Sequence, residues 1–371
     1  MRVTDSMITN ESIYWIRKQS ATLNEISLVV SSGKQVNKPS DNPEAMGQIL
    51  SDRSTISQYS KYLANISEAD TRIEAGNNTL EAVTSLLESA REIAQTADDW
   101  SNETTETYLE TLRSIYSQIM DLANTKLSGI YLYGGDNSLA TPYSDAVSIS
   151  AGIADDLVYG LADDAASVTI TIANDQGAAV RTLSASSVNA GSNTYAWDGL
   201  DDGGNVLADG SYSVTVSATG SSGNEVAAYA AYRGTTGGGK EVPISSNSTV
   251  TIGNDGSIFG SALCALSQAI LAMETSSYTD ALATELTAAL ESSIGDITNE
   301  QVKLSNISSQ LEISDTRIDS YLQTIADEAS RLENADTTTA AVELEAQSTA
   351  YKVTLETVSN LLKRSKLTDY L

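Results

Sequence analysis

The sequence has no histidine, one cysteine and one phenylalanine in 371 residues, and four prolines. Without histidine, the commonest general base and metal ligand at neutral pH is missing. The lone Cys264 cannot close an intramolecular disulfide. It sits among Phe259, Leu263, Leu266 and Ile270 on an apolar helical face, which reads as a small buried hydrophobe rather than a nucleophile. Positive charge is scarce as well: 21 basic against 49 acidic residues leave a net charge of −28. No basic run is long enough to neutralise a stretch of phosphates, so neither nucleic acid nor an anionic membrane is an expected partner. Residues 1–20 lack the apolar core and small-residue site of a cleavable signal peptide, and the sequence reads as having no apolar run of membrane-spanning length.

The acidic residues form no evident site. Asp198, Asp201, Asp202 and Asp209 cluster, but Leu200 takes the third position of any calcium loop begun at Asp198, and the neighbouring glycines mark tight turns. Asp98-Asp99 and Asp163-Asp164 read as solvated surface. Gly134-Gly135 and Gly237-Gly238-Gly239 lack the lysine and the strand-to-helix context of a phosphate loop. No catalytic, cofactor-binding or metal-ligating residue is therefore assigned, and an enzyme is not expected.

Periodicity is what the chain has in abundance. Leu290, Ile297, Leu304, Leu311, Ile318, Ile325 and Leu332 recur every seven residues, with Leu286, Ile307 and Tyr321 at complementary positions. Such a seam keeps one side of a helix apolar while slowly winding, as in a left-handed coiled coil. Ile66, Ile73, Leu80, Leu87 and Ala94 form a second seam, with Ala69, Gly76, Val83, Ala90 and Ala97 between. Its helix is expected to start at Pro43, capped by Asp41 and Asn42. These two middle helices are expected to pack on each other. Two end segments carry narrow stripes, Ile16, Leu23, Ile26 and Val30 in the first and Leu344, Tyr351, Leu355, Val358 and Leu362 in the last. Nothing nearby in sequence covers either stripe, so each must pair with the other or with another molecule, and too little local surface within one chain makes both candidate subunit contacts.

Between the helical halves, residues 136–256 turn rich in Gly, Asp, Ser and β-branched residues, with alternation at 168–172 and 212–216 and turn signals at 174–177, 201–204 and 209–210. The expected fold is mainly α with inserted β: a long antiparallel helical rod, terminal coiled-coil helices and an outer β domain.

Specific motifs then point to a family. Ser32-Gly33-Lys34, Val36, Pro39, Ser40, Asp41, Asn42, Pro43 and Ala45, continued by Asn65, Ala69, Leu80 and Ala94, resemble the N-terminal signature of bacterial flagellins. Met1-Arg2-Val3-Thr4, the pair Pro39 and Pro43, the segment 128–135 and the ending Leu367-Thr368-Asp369-Tyr370-Leu371 are more similar to the hook-filament junction branch of that family, the third hook-associated proteins. This resemblance covers residues 1–145 and 230–371. Residues 165–228 instead resemble the immunoglobulin-like module of hook-capping proteins, with Trp197 as the expected core residue.

The resemblance implies a structural component of the flagellum. Residues 1–40 and 337–371 would form an inner tube of terminal helices, 41–142 and 258–336 a helical rod, and 143–257 an outer β domain. It implies helical self-assembly, contacts with a neighbouring hook-associated protein and flagellin, an export chaperone and export apparatus, and an extracellular location reached without a cleaved leader. The alternatives are a filament flagellin, or a secreted binding protein using an exposed aromatic cluster drawn from Tyr195, Tyr212, Tyr229 and Tyr232.

Overall fold

The computed structural model describes residues 5–96, 102–237, 239–253 and 255–368. Met1 to Thr4, Ala97, Asp98, Asp99, Gly238 and the final Asp369, Tyr370 and Leu371 lie outside them, as does the side chain of Leu362. The helices are α1 (Asp5–Ser32), α2 (Pro43–Gln95) and α3 (Asn102–Ala123) before the β region, and α4 (Gly260–Glu274), α5 (Asp280–Glu333) and α6 (Thr337–Thr368) after it. The chain divides into two compact units, residues 1–63 with 315–371, and residues 64–314.

In the first unit α1 packs along α6. α2 begins at Pro43 as expected, but the cap is divided differently. Asn42 Oδ1 accepts from Ala45 N at 3.0 Å, whereas Asp41 Oδ2 accepts from Asn37 N and Lys38 N and closes the preceding loop. Val36, Ala45 and Ile49 form a small core that Met46 and Leu332 complete. Of the distal heptad residues, Ile318 is buried, while Ile325 and Leu332 are half-buried and Tyr321 is exposed. Tyr321 stacks edge-on with Tyr59 at 5.0 Å instead of filling a seam.

In the second unit α2 and α5 run antiparallel: Asp70 accepts from Ser308 Oγ at 3.0 Å, and Arg91 meets Glu291 at 3.5 Å. Ile66, Ile73, Leu80 and Leu87 are buried, as are Leu290, Ile297, Leu304 and Leu311. α3 and α4 pack together beside them. With mean hydropathy 1.6 over residues 256–274, the segment containing α4 meets the length and composition of a membrane span, which corrects the reading of the sequence. It is nonetheless built as a core helix: Ala262, Leu263, Ala265, Leu266, Ala269, Ala272 and Met273 are buried against protein. Cys264 is half-buried on α4, and burial pushes its thiol up, away from the reactive thiolate.

The strands are β1 (Lys126–Leu127), β2 (Ile130–Tyr131), β3 (Ala146–Ser150), β4 (Ile153–Ala154), β5 (Leu157–Leu161), β6 (Ala165–Ala173), β7 (Ala179–Val188), β8 (Gly191–Tyr195), β9 (Gly210–Thr219), β10 (Glu225–Val226), β11 (Ala228–Ala230), β12 (Lys240–Pro243) and β13 (Thr249–Ile252). β1 pairs with β2, and β12 with β13. A six-stranded sheet, ordered β4-β3-β9-β6-β7 with β10 on β9, faces a three-stranded sheet β11-β5-β8. Val168, Ile170, Ile172, Leu157, Leu161, Tyr212 and Trp197 share their common core. Trp197 Nε1 donates to Leu200 O at 3.2 Å, so the indole is buried without orphaning its donor.

The sandwich is wider than residues 165–228. β3, β4 and β5 supply one edge and the centre of the smaller sheet, so the module begins at Ala146 and ends at Ala230. The chain enters and leaves it at one place, where Arg233 N donates to Pro142 O at 2.8 Å and the rings of Tyr143 and Tyr232 lie 5.6 Å apart.

Candidate assembly interface

The two end stripes face each other. Ile16, Leu23, Ile26 and Val30 on α1 and Leu344 and Tyr351 on α6 are half-buried, and Val358 is buried. Gln347 Nε2 donates to Gln19 Oε1 within the pair. Of the two outcomes open to these stripes, the first holds, since two helices of similar length, each with a narrow seam, cover one another; the expectation that one chain has too little surface to cover them is corrected. Leu355 lies on the same side of α6, about 40° from Tyr351, yet stays 40% exposed.

A second apolar set remains uncovered. On α1, Met7, Tyr14 and Leu28 are exposed at heptad spacing with Ala21, and on α6 Val342 and Val353 are exposed eleven residues apart. Each set is offset by two residues from the covered seam, about 200° around a helix, and so lies on the opposite side. Each helix is therefore apolar on two faces, only one of which its partner covers. Trp15 adds to the exposed set, edge-on to Tyr14 at 5.7 Å with Lys18 Nζ 5.2 Å above its ring. The signal was present in the sequence as the 7-14-21-28 spacing, interrupted in hydrophobicity by Ala21.

At the base of the pair, the α1–α2 and α5–α6 corners are laced together. Gln35 N donates to Glu333 O at 2.7 Å and Ala335 N to Gly33 O at 3.0 Å, while Gly33 takes φ +68, a conformation glycine adopts without strain. Glu333, 15% exposed, accepts from both Lys34 and Arg53, the latter at 2.6 Å. The Lys34 hydrogen bond, with help from Arg53 and against the cost of desolvation, holds its carboxyl below the usual range. A lowered folded value contributes stability that is present above the unfolded value of 4.5 and is lost as pH falls through the folded one. Glu333→Gln should therefore lower the melting temperature of the first unit at neutral pH, by an amount equivalent to about 1 kcal/mol. The gap from wild type should close on acidification below pH ~4.5, in line with linkage. Melting curves at a series of pH values test this, and a gap that widens in acid would refute it.

The acidic loop between β8 and β9 is offset in part by one arginine. Arg181 lies 3.8 Å from Asp198 and 3.9 Å from Asp202 and donates to Asp201 O at 2.8 Å. Asp202 N and Oδ1 bond Val180 O and Thr182 N, so this loop covers the start of the free edge of β7. Among the described residues, no group of three or more acidic or cysteine side chains is arranged to hold a metal. Tyr212 is buried and Tyr195, Tyr229 and Tyr232 are half-buried, so the four do not form an exposed aromatic cluster.

The comparisons with known proteins fall on these same divisions. Residues 4–138 match the bacterial flagellin N-terminal helical region, and residues 144–222 match the FlgD Ig-like domain. The chain is similar to flagellar hook-associated protein 3 of Salmonella typhimurium, 28% identical over 149 residues, a match spanning 39% of this chain and about half (47%) of that protein. A solved flagellar hook-associated protein from Vibrio parahaemolyticus aligns over 79% of this chain and all (100%) of that one at 12% identity, TM-score 0.51, which bears on fold alone. The hook-capping FlgD of Xanthomonas campestris is 32% identical over 24% of this chain and 65% of its own, TM-score 0.22. The resemblance to flagellin-like hook-associated proteins therefore stands, and the chain joins a flagellin-type helical region to an FlgD-type immunoglobulin-like domain.

Proposed function

We propose that this protein is a non-enzymatic structural subunit of the bacterial flagellum, an adaptor between hook and filament that assembles through its terminal helices. The observation that carries this reading is the doubly apolar character of α1 and α6. One face of each closes the pair, and the other, Met7, Tyr14 and Leu28 on α1 and Val342 and Val353 on α6, is available to further copies. Burying such stripes between copies contributes about 25 cal/mol per Å² of apolar area. In this reading the neighbours are a hook-associated protein on one side and flagellin on the other, and the chain reaches the cell exterior through the flagellar export apparatus with a chaperone holding its ends.

Immunogold labelling of intact cells tests the assignment. Label confined to a short zone where hook meets filament supports the adaptor; label along the filament would make the chain a flagellin, and label elsewhere would remove it from the flagellum.

A further inference from the structure

The sandwich presents an apolar tip that assembly through the terminal helices does not use. Ile153 and Val206 are 74% and 72% exposed, the most exposed large hydrophobic residues of the module. Both are held in place. Asp209 accepts from Ala151 N and Gly152 N, each at 2.9 Å, and fixes the β3–β4 turn that carries Ile153. Ala151 there takes φ 53, a left-handed conformation that alanine adopts only when its surroundings impose it. Val206 bridges Leu200, and the adjoining Leu207 N donates to Gly199 O at 3.1 Å. Gly199 in turn lies against Ala154, next to Ile153 in the chain, so the two exposed residues belong to one end of the sandwich. Asp198, Asp201, Asp202 and Asp209 belong to this end, where Arg181 meets Asp198 and Asp202, while Asp155, next to Ala154 in the chain, interacts with Arg233.

Charge decides what can dock there. Residues 64–314 hold 33 acidic and 8 basic residues, a net of −25, whereas residues 1–63 and 315–371 hold 16 and 13, a net of −3. Five of those eight basic side chains, Arg91, Arg113, Arg181, Lys240 and Lys303, are already paired with carboxylates of their own chain. The sandwich of a second copy thus cannot supply the complementary charge, and two acidic tips repel. We propose that the Ile153–Val206 tip is a docking surface for a different protein, one presenting lysines and arginines around an apolar hollow.

The test uses the full chain and two synthetic helical peptides of equal positive charge, one of leucine and lysine and one of serine and lysine, with binding followed by fluorescence anisotropy. The leucine-lysine peptide should bind at least tenfold more tightly, and the double variant Ile153→Ser, Val206→Ser should erase that preference while still binding the serine-lysine peptide as wild type does. Leu139→Ser, at a residue 80% exposed elsewhere in the same unit, should leave the preference intact. Equal binding of both peptides by wild type, a preference that survives the double variant, or one equally lost in Leu139→Ser would each overturn the proposal. So would tip-dependent dimerisation in sedimentation. None of these outcomes depends on where in the cell the chain assembles.

Discussion

Replacing Leu311 with aspartate is expected to remove cooperative unfolding of the second unit, whereas Leu355→Asp is expected to leave the monomer folded and stop it assembling. Leu311 is 1% exposed in the heptad seam of α5, with Leu304 equally covered one heptad before it. Deleting such a side chain costs about 2–5 kcal/mol. A carboxylate in its place is also stripped of water with no cation in the seam to pair it, a further several kcal/mol. The total approaches the 5–15 kcal/mol that keeps a domain folded. Leu355 is 40% exposed, and a polar residue there should shift stability by no more than about 1 kcal/mol. Its contribution comes when another copy covers it, where losing ~1.5–3 kcal/mol per contact raises the concentration needed for assembly roughly tenfold or more. Circular dichroism melts and light scattering of the two variants separate these effects. A similar loss of melting temperature in both would show that Leu355 belongs to the monomer core.

The same contrast explains which parts of the fold were legible beforehand. The heptad run from Leu290, the start of α2 at Pro43 and the burial of Trp197 follow from local rules, because a seven-residue repeat, a proline preceded by asparagine and a lone indole among turn glycines each constrain the backbone within a few residues. The pairing of α1 with α6 joins partners more than 300 residues apart, as Gln19 and Gln347 are, so local rules leave open whether the two stripes meet each other or another molecule. β4 is two residues long and β5, Leu157–Leu161, is covered on both faces and does not alternate, while the alternation of β3, Ala146–Ser150, was there to be read; the boundary at 165 rested on the resemblance of residues 165–228 to the immunoglobulin-like module. α3 carries Leu112, Ile115 and Ile119 at i, i+3 and i+7, a helical face that local spacing does report but that was not assigned a helix of its own. The second stripe of α1 was hidden by Ala21, which continues a helical face without announcing it as apolar.

The corrected boundary yields the last expectation, which concerns where the module can be cut. A Gly-Ser linker in place of residues 165–228 would remove β6 through β10 and leave β3 without β9, and β5 without β8. Val147, Ile149, Leu157 and Tyr159, now buried, would then face water along unpaired strand edges, a recipe for aggregation. A linker in place of residues 144–231 cuts elsewhere. It joins Tyr143 to Tyr232, whose rings are already in contact at 5.6 Å, and it takes the whole two-sheet core away together. The loss is then confined to the side of α4 that β10 and β11 cover, including the half-buried Ile270 and Leu271, and to the hydrogen bond from Ala230 N to Tyr116 Oη. Exposing two such side chains costs about 3 kcal/mol, far less than an orphaned half-sandwich. The longer deletion should therefore be soluble and monomeric with a sharp helical melt, and the shorter one should precipitate or bind a hydrophobic dye, although it removes fewer residues. In cells, the longer deletion should still support filament attachment if the terminal helices alone make the joint. A soluble, sharply melting shorter deletion would mean that β3, β4 and β5 belong to the helical frame and not to the sandwich.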